Sequence, residues 1–249
     1  MGMSKWLEGR VVGQKRWTDR LCSLQVAAPL GRFEAGQFTK LALDVAGERI
    51  ARPYSLVNPP GTEPQEFYYN VVAAGPLSAR LAALAAGDTV FVATNVAGFL
   101  VLAEVPDAWN LWLISTGTGL GPFLSILRTE APWQRFKRVT LVHATRTAAE
   151  QAYGDVLAAV GAARGAQFRR VAFVSRETAP RALEGRVPAA IRDGRLERAA
   201  QAELSAERSH AMLCGNPEMV TDVTAALTER GMRKHRRRAP GHITVETYW

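Results

Sequence analysis

The sequence predicts two domains: an antiparallel β-barrel or sandwich over residues 1–103, and an α/β domain built on an open parallel sheet over residues 104–249. Three observations carry this expectation. The first hundred residues are short alternating runs broken by proline and glycine, and the hydrophobic rhythm changes near residues 103–107. After that, short wholly apolar runs alternate with longer segments suited to helices. A chain of 249 residues is long enough to bury one or two substantial cores.

In order along the chain, residues 21–26, 38–43 and 66–72 read as strands, with Pro29, Gly36, Gly47, Pro59-Pro60-Gly61 and Gly87-Asp88 as the turns between them. One helix interrupts the series, because residues 77–84 carry apolar side chains at helical spacing just after Gly75-Pro76. Past the linker, residues 111–114, 139–142, 171–174 and 211–213 are apolar runs of the kind buried in parallel sheets. Helix-suited segments, including 148–163 and 217–229, separate them, and right-handed β-α-β units follow.

Composition removes several function classes. Hydrophobic residues make up 47% and charged residues 22%, as in ordinary globular proteins, so large-scale disorder is not expected. No apolar run approaches the roughly 20 residues that cross a bilayer, so no membrane span is expected. The start, Met1-Gly2-Met3-Ser4, has neither an apolar signal core nor a small-residue cleavage site, so the expected location is the cytoplasm. Cys22 reads as core, and with Cys214 as the only other cysteine there is no disulfide framework and no iron–sulfur cluster, which needs about four ligands. His143, His210, His235 and His242 lack metal spacing, so no metal is expected. The net charge is +8, concentrated at Arg233-Lys234-His235-Arg236-Arg237-Arg238. Nucleic acid is not the expected partner, since no helix-turn-helix, zinc or aromatic-platform pattern accompanies that run. A solvated loop or a docking face for an acidic protein remains.

Four segments carry chemistry. In Arg52-Pro53-Tyr54-Ser55, an extended chain points Arg52 and Tyr54 to one face, offering a cation for a phosphate and a phenol for a flat ring, with the Ser55 hydroxyl beside them. Alone, this reads first as an ordinary strand with a surface arginine. Ser115-Thr116-Gly117-Thr118-Gly119-Leu120-Gly121-Pro122 lies between a buried strand and a helix start, where small residues let a pyrophosphate approach the backbone. Its glycines are spaced G-x-G-x-G, so it is not the standard dinucleotide fingerprint. Arg146 follows the next strand, at the place where an acid would greet an unphosphorylated ribose, and so suits a 2′-phosphate. Arg176 and Arg186 come at the following strand ends. The third segment is Cys214-Gly215-Asn216-Pro217-Glu218-Met219, and the fourth is Val245-Glu246-Thr247-Tyr248-Trp249.

The order and spacing of these segments resemble the ferredoxin/flavodoxin-NADP reductases, particularly the bacterial flavoproteins that end in Tyr-Trp, and the resemblance covers essentially the whole chain. It implies an N-terminal barrel that holds FAD through Arg52, Pro53, Tyr54, Ser55, Gly75, Leu77, Ser78, Thr118, Tyr248 and Trp249. It implies an α/β domain that holds NADP(H) through Gly117, Thr118, Gly119, Arg146, Ser175, Arg176, Arg186, Cys214, Gly215 and Asn216. By the same resemblance Cys214 packs by the nicotinamide carbon that transfers hydride. Tyr248 covers the flavin face opposite Tyr54, and Trp249 packs on adenine. Ser55, Cys214, Glu246 and Tyr248 are then the catalytic set, with Glu246 on the proton path. The implied activity takes hydride from NADPH and passes electrons one at a time to ferredoxin or flavodoxin, acidic carriers, by a monomer. Two alternatives stay open: a general NADPH diaphorase for free flavin or quinone, and an FAD-binding relay subunit with little catalysis of its own.

Overall fold

Alternating side chains and two register shifts let one long strand serve a curved sheet. Trp6–Thr18 (β1) pairs antiparallel with Leu21–Ala27 (β2) and breaks register between Val11 and Gly13 and again between Arg16 and Thr18. Such irregularities bend a strand and raise its twist. Phe38–Val45 (β3), Glu48–Ser55 (β4), Gln65–Asn70 (β5) and Thr89–Ala93 (β6) complete an antiparallel sheet in the order β4-β3-β6-β1-β2-β5. Its two edges meet at a bridge between Leu56 and Phe67, where the Val57 N–H donates to the Glu66 carbonyl at 3.0 Å. The sheet is therefore a closed barrel rather than a sandwich, and Leu24, Leu41, Phe67 and Val92 fill it. The computed structural model describes residues 5–247.

The helix expected over 77–84 is much shorter, a single turn at Ser78–Leu81 (α1). Leu77 and Leu81 insert into the barrel core, and the Ser78 hydroxyl accepts a hydrogen bond from the Val72 N–H at 3.0 Å. Tertiary burial, not helix propagation, holds this turn.

The second domain opens with Asn110–Thr116 (β7), Leu120–Leu127 (α2) and Ala131–Arg135 (α3), then Arg138–Thr145 (β8), Gly154–Arg164 (α4), Phe168–Val174 (β9) and Ala182–Glu184 (β10). Val187–Arg192 (α5), Arg195–Ala200 (α6), Ser209–Gly215 (β11), Pro217–Thr228 (α7) and Ile243–Thr247 (β12) follow. All neighbours pair in parallel, in the order β10-β9-β8-β7-β11-β12. The four apolar runs read from the sequence are the four central strands. The segment 148–163 is not one helix: a 3-10 turn at Ala148–Glu150 is separated from α4 by Tyr153, which adopts a left-handed conformation (φ 59°).

One face of this sheet packs on α5, α6 and α7 through Trp112, Ile114, Phe173 and Leu213. The other face joins a cluster that runs without a break into the barrel, placing Leu113, Leu141, Phe123 and Met212 beside Leu21, Val57, Tyr68 and Leu100. Inside it the Ser125 hydroxyl donates to the Asn58 carbonyl at 2.8 Å. A shared apolar core of this kind fixes the barrel against the sheet, which positions everything built at their junction.

Candidate active site

Two cavities meet at the junction. The first, about 330 Å³, is walled by β4, β5, the turn at Gly75–Ser78 and Glu246 of β12. The second, about 470 Å³, lies over the carboxyl ends of β7, β8, β9 and β11, where open α/β sheets place their ligands. Asn70, Val72 and Thr118 border both, and the Asn70 side chain donates to the Thr118 hydroxyl at 3.4 Å.

Strand alternation builds the first cavity. Arg52 is exposed at its rim, Ser55 is buried in its wall, and the Tyr54 ring stands edge-on to Tyr69 with centroids 5.8 Å apart. Burial pushes the Tyr54 hydroxyl up to about 12, so it stays protonated through neutral pH. Tyr68 and Tyr69 are neighbours in β5, yet both are buried: Tyr69 turns into the barrel and Tyr68 onto the second domain. Sequence reading missed both, because alternation identifies a strand with one wet face, and the second domain covers the outer face of this one. The signal available was a Tyr-Tyr-Asn run at the end of a strand leading into the Gly75 turn.

Two buried polar atoms on this wall have no hydrogen-bond partner among the described residues, the Tyr68 hydroxyl and Oε1 of Glu246, while the Tyr69 hydroxyl has the Cys22 thiol beside it. Burial alone raises the Glu246 carboxyl to about 7. Its other oxygen faces Gly98, where a Cβ would stand 3.2 Å away, and so the backbone of residue 98 closes over the acid.

The glycine turn expected at the end of β7 is a 3-10 turn over Gly117–Gly119. Gly119 is required there because a Cβ would overlap the carbonyl of Cys214 in β11. Gly215 has φ +137° and its Cβ would overlap the Thr116 side chain. The Thr116 hydroxyl accepts from the Asn216 N–H at 3.0 Å, and the Asn216 side chain caps α7 by accepting from Glu218 N–H at 2.8 Å. Beneath the turn, His143 is fully buried, with Nε2 3.1 Å from the Gly117 carbonyl. Burial lowers its pKa to about 4, so it is neutral and Nε2–H donates.

Of the residues expected at a flavin, Arg52, Pro53, Tyr54, Ser55, Gly75, Leu77, Ser78, Thr118 and Glu246 all border the first cavity. Gly117, Thr118, Arg146, Ser175, Arg186, Gly215 and Asn216 border the second. Gly119, Arg176 and Cys214 border neither. The Cys214 side chain is fully buried in the shared core, and Arg176 joins the site through its backbone N–H, which donates to the Arg146 carbonyl at 2.9 Å. Arg186 stands 3.4 Å from Glu218, both side chains largely exposed. Tyr248 and Trp249 lie outside the described residues.

An aromatic-walled barrel cavity that opens onto the strand ends of a parallel sheet defines a two-domain dinucleotide-dependent oxidoreductase. Residues 113–225 match the oxidoreductase NAD-binding domain family. The chain is 49% identical to a flavodoxin/ferredoxin–NADP reductase from Shigella flexneri and 48% identical to one from Escherichia coli strain K12. Each match covers 99% of this chain and 100% of the relative. The fold superimposes with a TM-score of 0.94 and 34% identity on a crystal structure of a ferredoxin NADP+ reductase from Neisseria gonorrhoeae with bound FAD and NADP, covering 99% of this chain and 100% of that one. The chain belongs to the flavodoxin/ferredoxin–NADP reductase family. No described helix is long and apolar enough to cross a membrane.

Proposed function

We propose that this chain is an FAD-dependent reductase that exchanges hydride with NADPH and single electrons with ferredoxin or flavodoxin. The observation that carries this reading is the meeting of two differently built cavities at Asn70, Val72 and Thr118. The names of the relatives support the carriers, and the neighbouring structure's FAD and NADP support the cofactors.

The first cavity suits a flavin. Buried polar groups require partners, and Oε1 of Glu246 lacks one on a wall that also carries the rings of Tyr54, Tyr68 and Tyr69, which the polar edge of a flat heteroaromatic ring would satisfy. Bound FAD supplies the conversion between a two-electron hydride and two single electrons. Arg52 and the Gly75–Ser78 turn, including Leu77, would hold its pyrophosphate. That seat rests on turn backbone rather than a helix dipole, since α1 is one turn long and the Ser78 hydroxyl already accepts from Val72. Pro53 fixes the extended backbone between Arg52 and Tyr54. Tyr54 would cover one ring face and Ser55 would stand near the reacting nitrogen, and the resemblance gives Tyr248 and Trp249, which lie outside the described residues, to the other face and the adenine. Glu246, with its pKa near 7, can hold or release a proton at neutral pH.

In the second cavity, the turn at Gly117 and Thr118, with Gly215 and Asn216 beside it, would receive the NADP pyrophosphate, the Asn216 N–H itself being committed to Thr116, and Arg146, Ser175 and Arg186 would receive the 2′-phosphate. Arg176 acts by supporting the Arg146 turn. Gly119 and Cys214, whose backbones approach closely, would form the floor behind the nicotinamide. The flavin domain spans 1–103 and the nicotinamide domain 104–249, and the chain works as a cytoplasmic monomer. Releasing the cofactor from the purified protein and identifying it by chromatography tests the reading: FAD is expected, and FMN alone or no flavin after reconstitution contradicts it. Comparing turnover of ferredoxin with turnover of free quinone separates a carrier-specific reductase from a general diaphorase.

A further inference from the structure

The two seats belong to different domains, so hydride transfer depends on how one domain is held against the other. Beside the Ser125–Asn58 bond, a second buried polar side chain crosses that boundary. Tyr153 precedes α4 in the second domain, and its hydroxyl donates to Oε1 of Glu66, in β5 of the barrel, at 2.7 Å. Ser23 of β2 lies 2.6 Å from the same hydroxyl, and the Trp17 indole N–H of β1 donates to Ser23 at 2.6 Å. An indole can only donate. The protons therefore run one way: Trp17 to Ser23, Ser23 to Tyr153, Tyr153 to the Glu66 carboxylate. Burial keeps the Tyr153 hydroxyl protonated, as its place in this chain requires.

The ring is held as firmly as the hydroxyl. Trp17 packs on it at 4.7 Å between centroids, and Tyr68 meets it edge-on at 5.2 Å. To reach this place Tyr153 takes φ 59°, a left-handed backbone that bulky residues adopt only where the surroundings over-determine it. Strain of this kind gathers where geometry matters to function.

Its neighbours show what it could fix. Tyr68, against its edge, lines the first cavity. The segment that Tyr153 closes begins at Arg146 and includes Glu150, both on the wall of the second cavity, and the Glu150 carboxylate accepts from the Arg146 N–H at 2.8 Å. One residue thus touches the wall of one seat and ends the wall of the other. We infer that Tyr153 is a positioning residue, a latch between the domains that sets the nicotinamide seat against the flavin seat. The inference rests on the reading of the two cavities as those seats.

Tyr153→Phe keeps the ring and removes the link to Glu66, and Ser23→Ala breaks the same chain from the barrel side. Three readouts on the FAD-loaded protein separate a latch from general damage. Affinity for 2′,5′-ADP, measured by calorimetry, should stay within about twofold in both variants, because the second domain alone holds that half. Flavin bleaching by saturating NADPH, followed anaerobically, should slow roughly tenfold, since a displacement of about 1 Å can cost up to a hundredfold in rate. Amide exchange over residues 148–153 should speed up roughly tenfold with the loss of one buried hydrogen bond, while β7 and β11 stay unchanged. Wild-type bleaching rates in both variants would overturn the latch, as would a loss of 2′,5′-ADP affinity in step with rate. A Tyr153→Phe protein that does not fold leaves Ser23→Ala to decide on the same readouts. If the wild-type protein itself is not bleached by NADPH, the reading of the two cavities fails and takes this inference with it.

Discussion

Glu246 shows how a single residue acquires its property from its surroundings. Nothing in Val245-Glu246-Thr247 announces an unusual acid; the shift to about 7 comes from burial beside Gly98 with one oxygen lacking a partner among the described residues. A folded pKa raised above the ordinary carboxylate value contributes stability that is complete below about 4.5 and is lost as pH rises through 7. In protein stripped of cofactor, Glu246→Gln should match wild type in urea unfolding at pH 4.5 and exceed it at pH 8.5 by up to about 3 kcal/mol; equal stability at the higher pH would remove the burial argument. Arg146 is different, since its place after a buried strand was legible from the sequence and the structure sets it on the cavity wall. Arg176 was read the same way; its side chain is exposed and does not border the cavity, and its backbone N–H donates to the Arg146 carbonyl, which residue type and spacing do not reveal. Arg146→Ala should therefore raise the KM for NADPH by roughly tenfold or more with little change for NADH, and Arg176→Ala should have the smaller effect. Steady-state kinetics with both cofactors check the order.

At the scale of elements, the central strands of the parallel sheet were legible because both faces are buried and the apolar runs are unbroken. The barrel strands at β1 and β4 were harder to read, since they mix charged, exposed and half-buried positions. The helix over 148–163 failed for a tertiary reason: Tyr153 is drawn to Glu66 and Ser23, and its left-handed backbone ends any helix before Gly154. The glycine turn was legible as a turn, but the reason for Gly119 was not, because the atom it avoids belongs to Cys214, far away in sequence. Gly119→Ala should cost about 1 to 3 kcal/mol of stability through overpacking and weaken NADP binding as the β7 and β11 turns part. Thermal unfolding with and without NADP measures both, and a fully stable variant with normal affinity would contradict the close approach.

For the whole molecule, the +8 charge is not spread evenly in effect. Arg237, in the densest basic run, is committed to Glu104, its Nε 2.9 and 3.0 Å from the two carboxylate oxygens, and lies over the ring of Phe99, which is 64% exposed. Arg236 and Arg238 remain exposed on the same loop. An acidic carrier approaching this face is attracted over about 10 Å at 0.1 M salt. Raising ionic strength should therefore lower kcat/KM for the carrier while leaving reduction of a neutral dye almost unchanged, and a salt-independent carrier reaction would argue against electrostatic docking. The central claim is that one chain joins a hydride donor to a one-electron carrier across two adjoining seats. Anaerobic titration of the purified FAD-loaded protein with NADPH, followed by addition of oxidised ferredoxin or flavodoxin, tests it most directly. NADPH should bleach the flavin, and added carrier should restore its absorbance as the carrier itself is reduced; a flavin that NADPH leaves oxidised, or one that stays bleached when either carrier is added, would contradict this.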